Sequence, residues 1–259
     1  MKLVFAISFT VVLIACSPKE DAKTPIVVKD SLITDSGILT GTFTNNTPNG
    51  ITELRDKDGK LLQRGRFEQG QPVGAWVQYD ASGKVIAAKH VFGSKVLTEL
   101  DPKDFEFKRW HNDAMGLSLN IPNNWKELPT PNANLVASFE KQIVDTALRI
   151  KPSVNVAVAQ LEADQTLEKL AATQLEMLHQ QSGRVELVNE SAITIDSCSA
   201  FRRYGMFYNE NSKVGFLMTI VVKGNRAWFF SCNAQNMTNG EFLRYQGVFE
   251  EIVETAQFD

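Results

Sequence analysis

The sequence predicts an α+β protein: a β-meander built on 24-residue repeats, then an antiparallel sheet packed with helices. Three observations predict it. Residues 37–92 resemble themselves at one constant offset. Residues 199–234 hold three strand-length apolar runs joined by short polar turns. Two stretches, Thr166–Gln181 and the one opening at Thr238, carry apolar side chains at helical spacing.

The repeat sets the first module, residues 37–100. Gly41-Thr-Phe43 recurs as Gly65-Arg-Phe67, Pro48-Asn-Gly50 as Pro72-Val-Gly74, and Gly59-Lys60 as Gly83-Lys84, each 24 residues on. Residues 46–50 and 70–74 read as turns, because proline presets φ and glycine takes φ > 0. Asp58-Gly59 and Ser82-Gly83 are hairpin signals. Between them Ile51–Arg55, Leu61–Phe67, Ala75–Tyr79 and Val85–Phe92 have strand length and composition. Phe43, Phe67, Trp76 and Tyr79 either stack repeat on repeat or form a glycan- or peptide-binding strip. A third copy decays, with Lys89 and Val91 where glycine and phenylalanine are due. Two copies and a fragment fall short of the roughly three that such arrays need. One end of the meander is therefore expected to dock on the domain C-terminal to it.

The pattern G-x-F…P-x-G…G-K resembles the MORN-repeat variant of the bacterial YwqK-type family, over about Gly37–Phe92. The resemblance implies a β-meander and transfers no activity.

Asp101-Pro-Lys-Asp104 breaks the pattern and opens the second module, residues 101–259. Phe105–His111 and Leu117–Ile121 read as a hairpin, and Leu135–Glu140 and Val154–Leu161 as strands. Leu167, Leu170, Ala171, Leu175 and Leu178 share one helix face, with Asp164 or Thr166 to cap it and Gly183 at the C′ position. Ser199–Tyr208, Val214–Val222 and Arg226–Ala234 come next as three antiparallel strands. Thr238 and Glu241 make a capping box for a last helix, whose stripe is Phe242, Tyr245, Phe249, Ile252, Val253 and Ala256. Gly247 inside it costs about 1 kcal/mol against alanine, and marks a place where the helix crosses a strand closely.

Strand pairing bears on Cys198 and Cys232. Centring the two turns pairs Cys232 with about Leu217 and so with Gly205. The cysteines then lie about seven positions apart, roughly 23 Å along the strands. A disulfide needs Cα atoms within about 7 Å, so two unbridged thiols are expected. Gly116–Trp125, the Leu167–Leu178 helix, the Ile193–Phe201 entry, the hairpins and the aromatic last helix are together similar to PsbP-like domains. That resemblance covers about residues 105–258 and implies a binding or assembly module without catalysis.

Met1–Cys16 bears on where the chain works. Lys2 precedes an apolar run, Leu3 to Ala15, too short for a comfortable membrane span. Leu13-Ile-Ala-Cys16 looks like a bacterial lipobox, which implies cleavage after residue 15 and palmitate-type acylation of Cys16. Each buried acyl CH2 contributes about 0.8 kcal/mol, so several chains hold firmly. Residues 16–36 read as a lipidated tether. Ser17, in place of the aspartate that signals inner-membrane retention, favours the outer membrane, on its periplasmic or surface face.

The net charge of −3, or −4 without Lys2, argues against a nucleic-acid partner. The three histidines, His90, His111 and His179, sit in no HExxH, GxSxG or metal-ligand spacing. No catalytic residue, cofactor or metal site is read from the sequence. Three functions stay open: a non-catalytic envelope lipoprotein that binds an envelope protein or cell-wall component, a carrier of a small apolar ligand or lipid in a cleft of the second module, and an envelope hydrolase.

Overall fold

Turn chemistry sets the pitch of the first half. The computed structural model describes residues 27–130, 134–142, 151–209, 212–235 and 239–259. Seven strands come first: β1 (Val27–Thr34), β2 (Gly37–Thr44), β3 (Thr47–Arg55), β4 (Leu61–Glu68), β5 (Gln71–Tyr79), β6 (Val85–Phe92) and β7 (Lys95–Leu100). They pair in sequence order as an antiparallel meander. Asp56 and Asp80, 24 residues apart, close equivalent turns. Asp56 Oδ1 accepts the amides of Asp58 and Lys60, both at 2.9 Å. Asp80 Oδ1 accepts those of Ser82 at 2.8 Å and Lys84 at 3.1 Å. The Ser82 hydroxyl and these amides hold the Asp80 carboxyl below its ordinary range.

The proline-bearing stretches correct the sequence reading. The chain reverses at Asn45-Asn46 and Gln69-Gly70, whose φ values are all positive, 49° and 62°, then 49° and 80°. Two consecutive left-handed residues make the two-residue hairpin that matches strand twist. Pro48 and Pro72 therefore lie inside β3 and β5. Their carbonyls accept the N–H groups of Gly70 at 3.0 Å and Gly93 at 2.7 Å. The glycines of G-x-F serve close approach: a Cβ on Gly65 would sit 2.3 Å from the Trp76 indole, and one on Gly41 2.8 Å from Thr52 Cγ2.

Two further corrections concern extent. The tether was expected to run to residue 36, yet Val27–Thr34 is β1, paired along its length with β2. Its Val, Leu, Ile and Thr residues are strand formers, and they satisfy the otherwise open edge of β2. β7 likewise extends the decayed third copy and ends at Leu100.

Asp101 accepts the amide of Lys103 and caps a 3-10 turn, Pro102–Phe105. Buried Asp104 binds Lys141 Nζ at 2.7 Å and Asn124 Nδ2 at 2.8 Å, which pins this turn to the second half. There the elements are β8 (Phe107–Asn112), β9 (Leu117–Pro122), β10 (Trp125–Glu127), β11 (Leu135–Lys141), β12 (Ser153–Gln160), α1 (Leu167–Gln181), β13 (Arg184–Ile195), β14 (Cys198–Asn209), β15 (Ser212–Lys223), β16 (Arg226–Gln235), α2 (Asn239–Glu254) and β17 (Gln257–Phe258). Among the described residues they form an antiparallel sheet of order β10-β11-β12-β16-β15-β14-β13 and a small sheet β17-β9-β8. Among the described residues the protein is thus mostly β, with two α-helices.

α1 starts at Thr166, whose hydroxyl accepts the Lys169 amide. Gly183 is no left-handed C′ residue. The chain leaves α1 through extended Ser182, and the Gly183 N–H joins the sheet at Tyr208 O, 3.0 Å away. Thr238, expected to cap α2, lies outside the described residues. Of β13 the sequence reading takes in only the end from Ile193, the entry to β14; the part before it, an edge strand, shows little alternation.

α2 lies between the two large sheets, against β5, β6 and β7 on one side and β9, β15 and β16 on the other. Val77, Ala88 and Leu100 of the meander share one core with Trp125, Leu217, Phe230, Phe249 and Ile252. Gly247 is the close crossing: a Cβ there would lie 2.5 Å from Ala75 Cβ. Gly215 plays the same part on β15, beneath the Phe242 ring. The docking expected of the meander is made chiefly by its last three strands, with ion pairs from β4 to α2 added.

Candidate functional site at the seam between meander and helix

Strand alternation sends β4 side chains to opposite faces. Phe67 goes to the outer face, where it is buried with Leu39 and Phe43 and meets Trp76 edge-on at 5.2 Å. Arg64 and Arg66 go to the inner face and reach α2. Arg64 pairs with Glu251, and Arg66 with Glu254. From the other sheet Arg202, only 6% exposed, places Nη1 2.7 Å from Glu254. Glu53 lies 3.8 Å from Arg64 Nε.

The reason for the cluster is electrostatic. The C-terminal end of a helix carries partial negative charge. α2 puts Glu250, Glu251 and Glu254 there and no basic residue in its last turn. The guanidiniums of β4 and β14 supply the missing countercharge. Burial raises the Glu254 carboxyl, but Arg202 and Arg66 outweigh it and hold it below its ordinary value. For Glu251 burial wins over Arg64, and its carboxyl is raised. The Nε and Nη2 atoms of Arg202 are buried without a partner among the described residues.

The seam holds a small, partly open cavity of about 20 Å³, lined by Gly65, Ala75, Val77, Gly247 and the charged groups. That is room for one water, which needs about 10–15 Å³. Pockets for drug-sized ligands run to about 300 Å³ or more, so the seam offers no carrier cleft. Its chemistry is that of a clamp: opposed charges, with no nucleophile beside a base among the described residues.

Cys16, the lipidation residue read from the sequence, lies outside the described residues. Cys198 and Cys232 are free thiols. Cys232 pairs with Leu217 as expected, and Leu217 with Tyr204, one residue from the expected Gly205. Cys198 sits at the far end of β14, opposite Ile195. Complete burial pushes the Cys232 thiol far up, against nucleophilic use.

The histidines do not converge. His179 is exposed on α1. His90 is 5% exposed, hydrogen-bonded to the Leu243 backbone, and burial lowers its pKa against the pull of Glu250. His111 sits between Ser118 Oγ and Asp113 Oδ1, each 2.8 Å away. This set escaped the sequence reading because its members lie on facing strands and a turn. A working Ser-His-Asp set orients its histidine with a buried carboxylate. Asp113 is 97% exposed instead. Among the described residues, no group of three or more His, Cys, Asp or Glu side chains could hold a metal ion.

No family model matches the chain. No curated protein matches it either. Solved structures do resemble it. Cyanobacterial PsbP from a Synechocystis species shares 12% identity, covering 60% of this chain and 93% of its own, with a TM-score of 0.47. LpqN of Mycobacterium tuberculosis, involved in cell envelope biogenesis, shares 18% identity over 58% of this chain and 89% of its own, with a TM-score of 0.43. The Ran-binding protein Mog1p of Saccharomyces cerevisiae shares 13% identity over 59% and 95%, with a TM-score of 0.46. These likenesses concern fold and transfer no site residue.

Proposed function

We propose that the chain is a cell-envelope lipoprotein, anchored by lipid on Cys16, that acts as a non-catalytic binding or assembly module. The repeat and the second module, read as MORN-like and PsbP-like, supply two β-rich bodies held as one by α2. One observation carries the reading. The buried charges at the seam are used against one another, while among the described residues the outer strands of the two large sheets have no strand beyond them. β13 is a twelve-residue edge strand with Leu187 and Val188 exposed at a bulge. An exposed edge of this length is a template for strand addition. The partner is an envelope protein or cell-wall component, and Ser17 favours the outer membrane as its place.

Two measurements test this. Labelling with a palmitate analogue is expected to mark the wild type and spare Cys16→Ala. Crosslinking in intact cells, followed by recovery of the anchored protein, is expected to yield one recurrent partner, lost when Leu187 and Val188 are replaced by aspartate. Recovery of the protein alone would overturn the binding role. Ester hydrolysis abolished by Ser118→Ala would overturn the non-catalytic one.

A further inference from the structure

The strand ends of the meander form two edges of opposite character. Val27 pairs with Thr44, so the chain enters the sheet at the edge made by the turns at 44–47, 68–71 and 92–95. Those turns hold two charged residues, Glu68 and Lys95. The other edge, at 34–37, 55–60 and 79–84, holds eight: Asp35, Asp56, Asp58 and Asp80 with four Lys or Arg residues. The entry edge also presents the β6–β7 hairpin. At its tip Phe92 is 70% exposed and Val96 45% exposed, on either side of Gly93-Ser94. Ile33 is more exposed still, 84%, but it stands at the charged edge beside Asp35.

We propose that the entry edge lies against the lipid surface that holds Cys16, with Phe92 and Val96 in the headgroup region. The proposal rests on acylation of Cys16. The length of chain outside the described residues argues for it. Cys16 precedes Val27 by eleven residues, which span about 40 Å at most when extended. The β6–β7 hairpin lies five to six strand spacings from β1, about 24–29 Å. The anchor thus keeps bilayer within reach of this edge, at an effective concentration that a free partner would have to beat. The composition of the edge argues the same way. Apolar side chains gain by entering the interface, whereas charged ones lose hydration there. Asn, Gln, Gly and Ser turns can meet headgroups without that loss, and the turns of the opposite edge cannot.

The test uses the full acylated chain in vesicles of phosphatidylethanolamine and phosphatidylglycerol. A nitroxide is placed by Ser94→Cys or, as a control, Asp58→Cys, each with Cys198→Ser. The unacylated Cys16→Ser chain in solution is the reference. On anchoring, the label at 94 is expected to lose collisions with a water-soluble nickel complex severalfold and to gain collisions with oxygen. The label at 58 is expected to keep its solution values. Phe92→Asp with Val96→Asp is expected to return the label at 94 to water while the chain stays on the vesicles. A label at 94 as open as that at 58 on anchored chain would overturn the proposal. So would equal protection with and without the anchor, which would mean contact between copies. The intact mass reports acylation separately: an unmodified Cys16 defeats the lipoprotein reading, whereas a lipidated chain with an open edge defeats this proposal alone.

Discussion

β15 and the meander strands differ in how many faces they bury. Eight consecutive residues of β15, Val214–Val221, are buried, because α1 covers one face of the sheet and α2 the other. In β4 only Gly65 and Phe67 are buried. A strand covered twice by helices can be apolar throughout; β4 instead buries Phe67 on its outer face and turns polar residues inward, toward α2. The difference is what lets Arg64 and Arg66 reach α2. The meander therefore joins the second sheet through charge as well as through apolar packing, and the two should lose structure together.

Five substitutions or conditions test that comparison. Phe249→Ala should have the largest effect, since the ring is fully buried and touches Trp125, Phe242 and Tyr245. A loss of about 3–5 kcal/mol is expected, in a single denaturant transition. Two transitions, with the meander unaffected, would separate the sheets.

Arg202→Met comes next. It strands Glu254 with Arg66 alone in a buried site, at a cost of about 3 kcal/mol. Adding Glu254→Gln should recover part of the loss in the same denaturation assay. Gly247→Ala forces a methyl group onto Ala75 and should cost about 1–3 kcal/mol. Ala75→Gly in the same chain should restore most of it, which an effect of helix propensity alone would not allow.

Gly65→Ala sharpens the contrast from the other side. Its methyl group meets Trp76 on the outer face, away from α2. A cost of about 1 kcal/mol is expected, read by hydrogen exchange as faster opening in β2–β5 with β15 unchanged. The smallest effect is that of pH at His90. Burial holds its folded pKa below the ordinary 6.5. The unfolded chain then binds the proton first, so the contribution of neutral His90 is complete above pH 6.5 and is lost as pH falls toward the folded value. Thermal melts of the wild type should drop across that window more than those of His90→Leu.

Much of the fold was legible because it is written locally. The 24-residue period rests on glycines that face Thr52 and Trp76, and on aspartate turns that recur in sequence. The register of β14 to β16 followed from turn lengths to within one residue. Gly247 stood out as a helix breaker inside an apolar stripe, and the structure supplies Ala75 as the reason. What escaped has no local mark. β1, β7 and most of β13 are edge strands, covered on too few sides to alternate. The seam pairs Arg64 with Glu251 across 187 residues. Its one trace in the sequence is a helix end crowded with Glu250, Glu251 and Glu254 and lacking a base, the reverse of what the dipole favours.

The twin turns at Asp56 and Asp80 have one more consequence. Each unit rebuilds its own bonds, and β1 to β3 make none of the principal packing with α2. An extra copy spliced between β3 and β4 would add two rungs to the ladder, about 10 Å of width, and leave the body untouched. The module is in that sense a spacer of adjustable gauge. A lineage could change how far the body stands from the start of its chain by copying 24 residues rather than by redesigning a fold.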